Sequence, residues 1–149
     1  MAGTTASYPS LEKIAVGWVR ATSGLTDLLG VPPDTRCATR FPSDPFDGET
    51  KAFLRVFQVY AAPLHEGQEI IQGLMQWDAI AARGDATPDY ATAEACALAL
   101  MKASRDAAGT VVGGEGTILS HVWRTGRRVE EPETGWARFL IETALIVRA

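Results

Sequence analysis

The chain is poor in the residues that most often carry chemistry. It holds two cysteines, Cys37 and Cys96, which allow one disulfide at most. Cys96 falls on the apolar side of a helical pattern, where a thiol behaves as a small hydrophobe, and both cysteines are expected to be reduced. The two histidines, His65 and His121, lie on different predicted elements, share no metal-ligand spacing and have no local serine or cysteine nucleophile beside them. Long apolar runs are missing: the longest, Ala95–Met101, is far short of the ~18 residues that mark a membrane span. Met1–Pro9 has no basic stretch followed by an apolar core, so no secretory signal is expected and the chain reads as a soluble product of a cytoplasm. Positive charge is not in excess either. Lysine and arginine number 14 against 18 acidic residues, a net −4, which gives a long anionic polymer no general electrostatic reason to bind.

What is present fits one globular domain, expected over residues 10–149 behind a flexible segment 1–9, since domains commonly run to roughly 100–150 residues. From Ser10, Leu11, Ile14, Ala15, Trp18, Ala21, Thr22, Leu25 and Leu29 recur on one stripe, with Glu12, Lys13, Arg20 and Asp27 away from it. This predicts a helix capped by Ser10. Ser23-Gly24 is expected to split it, because an interior glycine costs about 1 kcal/mol against alanine, and Gly30, Pro32 and Pro33 end it. Pro42, Pro45 and Gly48 make Asp34–Gly48 an irregular excursion, apart from an extended piece near Thr35–Arg40. Ala52–Ala61 and Glu69–Ala82 read as partner strands joined by a turn at Pro63–Gly67. In the second, Ile71, Gly73, Met75, Trp77 and Ala79 oppose Ile70, Gln72, Leu74, Gln76, Asp78 and Ile80.

The last third predicts an alanine-rich helix and two strands. Thr87-Pro88 offers a cap and a first-turn proline, Gly109 a stop, and Tyr90, Ala93, Cys96, Ala97, Leu100, Ser104 and Ala107 share one fine-grained face. Thr117–Thr125 alternates poorly, Gly126–Thr134 reads as a long charged connection, and Gly135–Arg148 alternates cleanly with Ala137, Phe139, Ile141, Thr143, Leu145 and Val147 on its core side. The expected fold is α/β in the broad sense, α+β in detail: a mostly antiparallel sheet against two main helices, with a long C-terminal β-hairpin.

No set of residues reads as an active site, and no cofactor or metal is expected. Gly113-Gly114-Glu115-Gly116 lacks the Lys-Ser/Thr of a phosphate loop and leads into a strand instead of a helix. Glu130, Glu131 and Glu133 sit on a loop, where carboxylates are ordinarily solvated. Two features point to association. Trp136, Leu140 and Ile146 lie on the strand face opposite Phe139 and Ile141, a patch if that face is bare, and a packed surface if one main helix covers each side of the sheet. The stretch Arg124–Glu133 runs from Arg124, Arg127 and Arg128 to Glu130, Glu131 and Glu133, a dipolar arm of the kind a head-to-tail ring uses and equally a solvated hairpin tip.

The order of blocks then becomes informative: a first helix ending Leu-Leu-Gly-Val, a proline-broken segment before Phe53–Val56, Gln76-Trp77-Asp78 in the partner strand, the helix Thr92–Ala103, Gly109–Gly114, and a last strand ending Ala144-Leu145-Ile146-Val147-Arg148. Together these resemble the tail terminator proteins of long-tailed bacteriophages, particularly those of actinobacterial phages, from Leu11 to the end. The resemblance implies a non-enzymatic virion protein of the tail's neck region, assembled in the host cytoplasm. It implies a six-subunit ring that stops tail-tube polymerisation and presents the head-joining surface. Its implied partners are copies of itself, the major tail tube protein and a head-completion or connector protein, with DNA passing through the lumen without specific binding and no membrane. Contacts in that family come from loops and hairpins, here Asp34–Gly48, Pro63–Gly67 and Arg124–Thr134, so the implied interface residues are Asp44, Phe46, His65, Glu66, Arg124, Arg127, Arg128, Glu130, Glu131, Glu133 and Trp136. Another neck or head-completion protein, or a small ligand-binding domain with a pocket beside Trp77 and Trp123, are the competing readings.

Overall fold

A computed structural model describes residues 8–42, 46, 52–65, 69–83, 87–130 and 135–149. Among these residues three helices and six strands follow in the order α1 (Leu11–Ala21), α2 (Ser23–Leu29), β1 (Cys37–Ala38), β2 (Phe53–His65), β3 (Ile70–Ala81), α3 (Tyr90–Ser104), β4 (Val111–Val112), β5 (Gly116–Val129) and β6 (Ala137–Arg148). They form one mixed sheet in the order β1-β2-β3-β6-β5-β4, antiparallel except for the β1–β2 pair. Two hairpins, β2–β3 and β5–β6, are thus zipped together along β3 and β6.

The Ser10 hydroxyl caps α1 by accepting from the Lys13 N–H, as its position predicts, and the chain breaks at Thr22 before α2. The α3 helix starts later than Thr87-Pro88 implies. Asp89 is its cap, accepting from the Thr92 N–H and hydroxyl, while Pro88 bridges back to Ala82. A carboxylate is as good a cap as a hydroxyl, and here the bridge fixes Pro88 as extended chain. The helix ends at Ser104, and a turn carries the chain to Gly109, whose φ of 88° suits glycine.

Both long hairpins run further than the sequence pattern indicates. β2 continues through Pro63 to His65, so the expected turn at Pro63 is strand. Its outer side has no partner there among the described residues, and an edge tolerates a residue without an N–H. β5 continues to Val129, placing Gly126, Arg127 and Arg128 in the ladder opposite Ile141, Leu140 and Phe139. Bulges at Val59 in β2 and at Leu119 and Arg124 in β5 explain the poor alternation, because each flips the following side chains to the other face.

The core lies on one side of the sheet. Trp18 of α1 meets Trp77 edge-on at 6.1 Å and His121 at 4.9 Å; Ala93, Cys96, Ala97 and Leu100 of α3 join the same cluster with Leu54, Ala79, Ile141 and Leu145. Thr143 ties the centre together, accepting from the Trp77 indole N–H at 2.9 Å and lying 2.8 Å from His121 Nε2. α1 also touches β1 and β4, which sit at opposite edges, so the sheet curls around it. A helix on each side of the sheet, the packed alternative for the Leu140 and Ile146 face, is therefore not what forms: α1 and α3 share one layer.

Candidate assembly interface

With both main helices on one side, the other side of the sheet carries no helix among the described residues. By register its residues include Tyr60, Leu74, Ala144 and Val122 in one row, and Gln76 with Glu142 in the next. Leu74, Leu140, Ala144 and Ile146 are half-buried; Tyr60 and Val122, on the outer strands, are 58% and 49% exposed. Apolar side chains spread across a wet sheet face form the kind of patch that marks association.

One end of this face is built around a buried charge. Asp78 is fully buried, and β-register sets Arg55 directly opposite it, donating from Nε at 2.9 Å and from Nη2. Arg138 reaches its other oxygen, with Nε at 2.9 Å and Nη2 at 2.8 Å. A carboxylate is stable at such depth only when paired and hydrogen-bonded on both oxygens, and two guanidinium forks supply that. Arg55 in turn lies under the Phe41 ring at 4.2 Å. Phe41 and Phe46 each contact Trp136 at 5.7 Å. The segment after β1 and the start of β6 therefore meet at one end of the sheet, whereas the β2–β3 hairpin turns at the other, level with Arg148.

A second polar cluster joins α3 to β5. The Arg128 guanidinium stacks over Tyr90 at 3.6 Å and pairs with Glu130 at 3.1 Å, and the Tyr90 hydroxyl donates to the same carboxylate at 3.1 Å. The implied interface residues thus separate. Arg124 stands exposed at a bulge, Arg127 exposed on the open face, and Arg128 and Glu130 are exposed but engaged with Tyr90; Phe46 and Trp136 belong to the aromatic end. His65 ends β2, and its side chain, like Asp44, Glu66, Glu131 and Glu133, lies outside the described residues. Sequence reasoning missed Phe41, Arg55, Asp78 and Arg138; the available signal was the lone charge of opposite sign in each of the two partner strands, Arg55 in β2 and Asp78 in β3.

Burial pushes His121 down to about 4, and its Nδ1 has no hydrogen-bond partner among the described residues. The thiols of Cys37 and Cys96 are both pushed up to about 12, chiefly by burial, so neither is a thiolate at neutral pH. Among the described residues no three His, Cys, Asp or Glu side chains are grouped to hold a metal, and no helix is long and apolar enough to cross a membrane. The glycine run 113–116 is a hairpin turn, closed by the Glu115 N–H donating to the Val112 carbonyl, with β4 and β5 pairing across it. Trp77, expected beside a pocket in the ligand-binding reading, is wholly buried in the core, and Trp123 packs against that core across Gly126.

No protein-family model matches the chain, and no curated protein matches it. Among solved structures, it resembles a chain of the virion of the native gene transfer agent particle, with a TM-score of 0.65 over 94% of this chain and 96% of that one, at 16% identity. At that identity the likeness is one of fold.

Proposed function

We propose that this chain is a structural component of a phage-like particle and serves as a tail terminator. It forms a ring, six-membered in the tail-terminator reading, at the head-proximal end of the tail tube, halts tube growth and offers the surface that joins the head. The observation that carries the reading is the match of fold with a chain of the gene transfer agent virion over 94% of this chain and 96% of that one. The sheet face without a helix, the aromatic end at Trp136 and the opposite end of the sheet, where Ile70 pairs with Arg148, supply separate surfaces for a neighbour in the ring and for partners above and below it. A ring needs such non-identical surfaces, since each subunit meets its two neighbours differently.

The net charge of −4 suits a lumen through which DNA slides, because grip on a duplex comes from released counterions at an excess of Lys and Arg, and here acidic residues outnumber them 18 to 14. The test is direct. Purified protein mixed with purified tail tubes should cap one end of each tube in negative-stain images and stop further polymerisation. Tubes that stay uncapped, or strong salt-sensitive duplex binding by the protein, refute the assignment.

A further inference from the structure

Two stretches of strand backbone face no other strand among the described residues, one on each edge of the sheet. β1 covers β2 only opposite Leu54 and Arg55, and β4 covers β5 only opposite Gly116 and Thr117, with Ile118 bound to Gly109 and Thr110. That leaves β2 open from Val56 to His65, except that the Gln58 N–H donates to Glu12, and β5 open from Leu119 to Val129. Followed through the ladders, Val56 stands level with Gly126, Tyr60 with Val122, and Ala62 with Ser120.

We infer that these two edges are made for each other: β5 of one copy adds antiparallel to β2 of a second copy, setting Val122 beside Tyr60. Direction follows from topology. The four long strands alternate in sense, so a copy displaced sideways brings its β5 against β2 running the opposite way, as an antiparallel ladder requires. Height follows from register, since the two open stretches run side by side from the row of Val56 and Gly126 to the row of Ala62 and Ser120. About eight residues of each edge face each other, a contact roughly 26 Å long at ~3.3 Å per residue.

Side chains agree with the backbone. The outer strands bear Val59, Tyr60 and Leu64 on one edge and Leu119 and Val122 on the other, all among the exposed large hydrophobics. Charge is complementary as well: exposed Arg124 bulges from β5 between the rows of Phe57 and Gln58, and Gln58 is where Glu12 holds its carboxylate on the opposite edge. The bulges at Val59, Leu119 and Arg124 make each edge a poor template for an arbitrary straight strand, which guards a free copy against indiscriminate pairing. The contact uses two different edges, so it propagates head to tail; that it closes into a ring rests on the reading above.

Cysteine pairs test it in the full-length protein, at concentrations that assemble or on tail tubes. Tyr60→Cys/Val122→Cys treated with a short bismaleimide should give a ladder of covalent multimers on denaturing gels. Each single variant alone should stay monomeric, a mixture of the two should stop at dimers, and buried Cys37 and Cys96 should not react. Arg124→Glu should abolish the ladder, and adding Glu12→Lys should restore it. Rings in negative stain without a ladder overturn the edge pairing and leave the ring reading standing. A ladder of open chains upholds the pairing and overturns the closed ring. Neither ring nor ladder overturns both.

Discussion

Replacing Asp78 by asparagine keeps the side chain's outline and removes its charge, leaving the Arg55 and Arg138 guanidiniums against an amide. Breaking a buried ion pair by removing one partner costs about 3–5 kcal/mol. Asp78 is wholly buried, but the two arginine side chains keep 25% and 19% of their surface in water. Solvent screens them in part, so the expected loss is about 2–3 kcal/mol. At roughly 2–4 °C per kcal/mol for a domain of this size, the melting temperature should drop by about 4–12 °C. Thermal unfolding followed by circular dichroism at neutral pH measures this. Because Arg55 lies under Phe41, and Phe41 touches Trp136, the same substitution should loosen the segment before β2 and quicken tryptic cleavage after exposed Arg40. Replacing all three charges by apolar residues, Arg55→Met, Asp78→Leu and Arg138→Met, should recover most of the loss, since no unpaired charge then remains buried. An Asp78→Asn variant melting within about 2 °C of the parent refutes the reasoning and makes the triad a solvent-screened surface cluster.

Three further outcomes are expected. Burial holds His121 at about 4 against 6.5 in the unfolded chain, so between those values the unfolded state binds the extra proton. Stability should therefore fall by about 1.4 kcal/mol per unit as pH drops from 6.5 towards 4, reaching about 3 kcal/mol and levelling below; urea titrations across that range should show His121→Gln without this share of the slope. At Gly73 an added methyl would run into Leu11 and stand 2.7 Å from the Tyr60 carbonyl oxygen, so Gly73→Ala should cost about 1–3 kcal/mol in urea unfolding, and an unaltered midpoint would mean that α1 is not seated as described. Arg127→Glu should impair ring formation or docking on tail tubes with unchanged circular dichroism, whereas Arg128→Glu also loses the stack on Tyr90, about 0.5–1 kcal/mol of stability; normal assembly by Arg127→Glu removes that residue from the interface.

Elements whose burial repeats without interruption were readable from the chain. The α1 stripe apart from exposed Ala21, the two sides of β3 and β6, and the fine-grained face of α3 lie as their spacing indicates, while Val19, off that stripe, is buried as well. Periodicity failed where the backbone inserts a residue: the bulges in β2 and β5 reset the alternation, hiding the last residues of both strands. Alternation also says which residues share a side, not what covers that side, so two helices stacked in one layer looked the same as one on each. The aromatic end was invisible for another reason. Phe41 and Trp136 are far apart in the chain, and only the closing of the sheet through β3 brings them together.

The seat of α3 has a mechanical corollary. Its buried side is Ala93, Cys96, Ala97, Leu100 and Ser104, so almost nothing compliant separates helix backbone from strand backbone. Dense interiors transmit strain instead of absorbing it. A load arriving where Tyr90 meets Arg128 and Glu130 passes straight into the sheet as into a stiff plate.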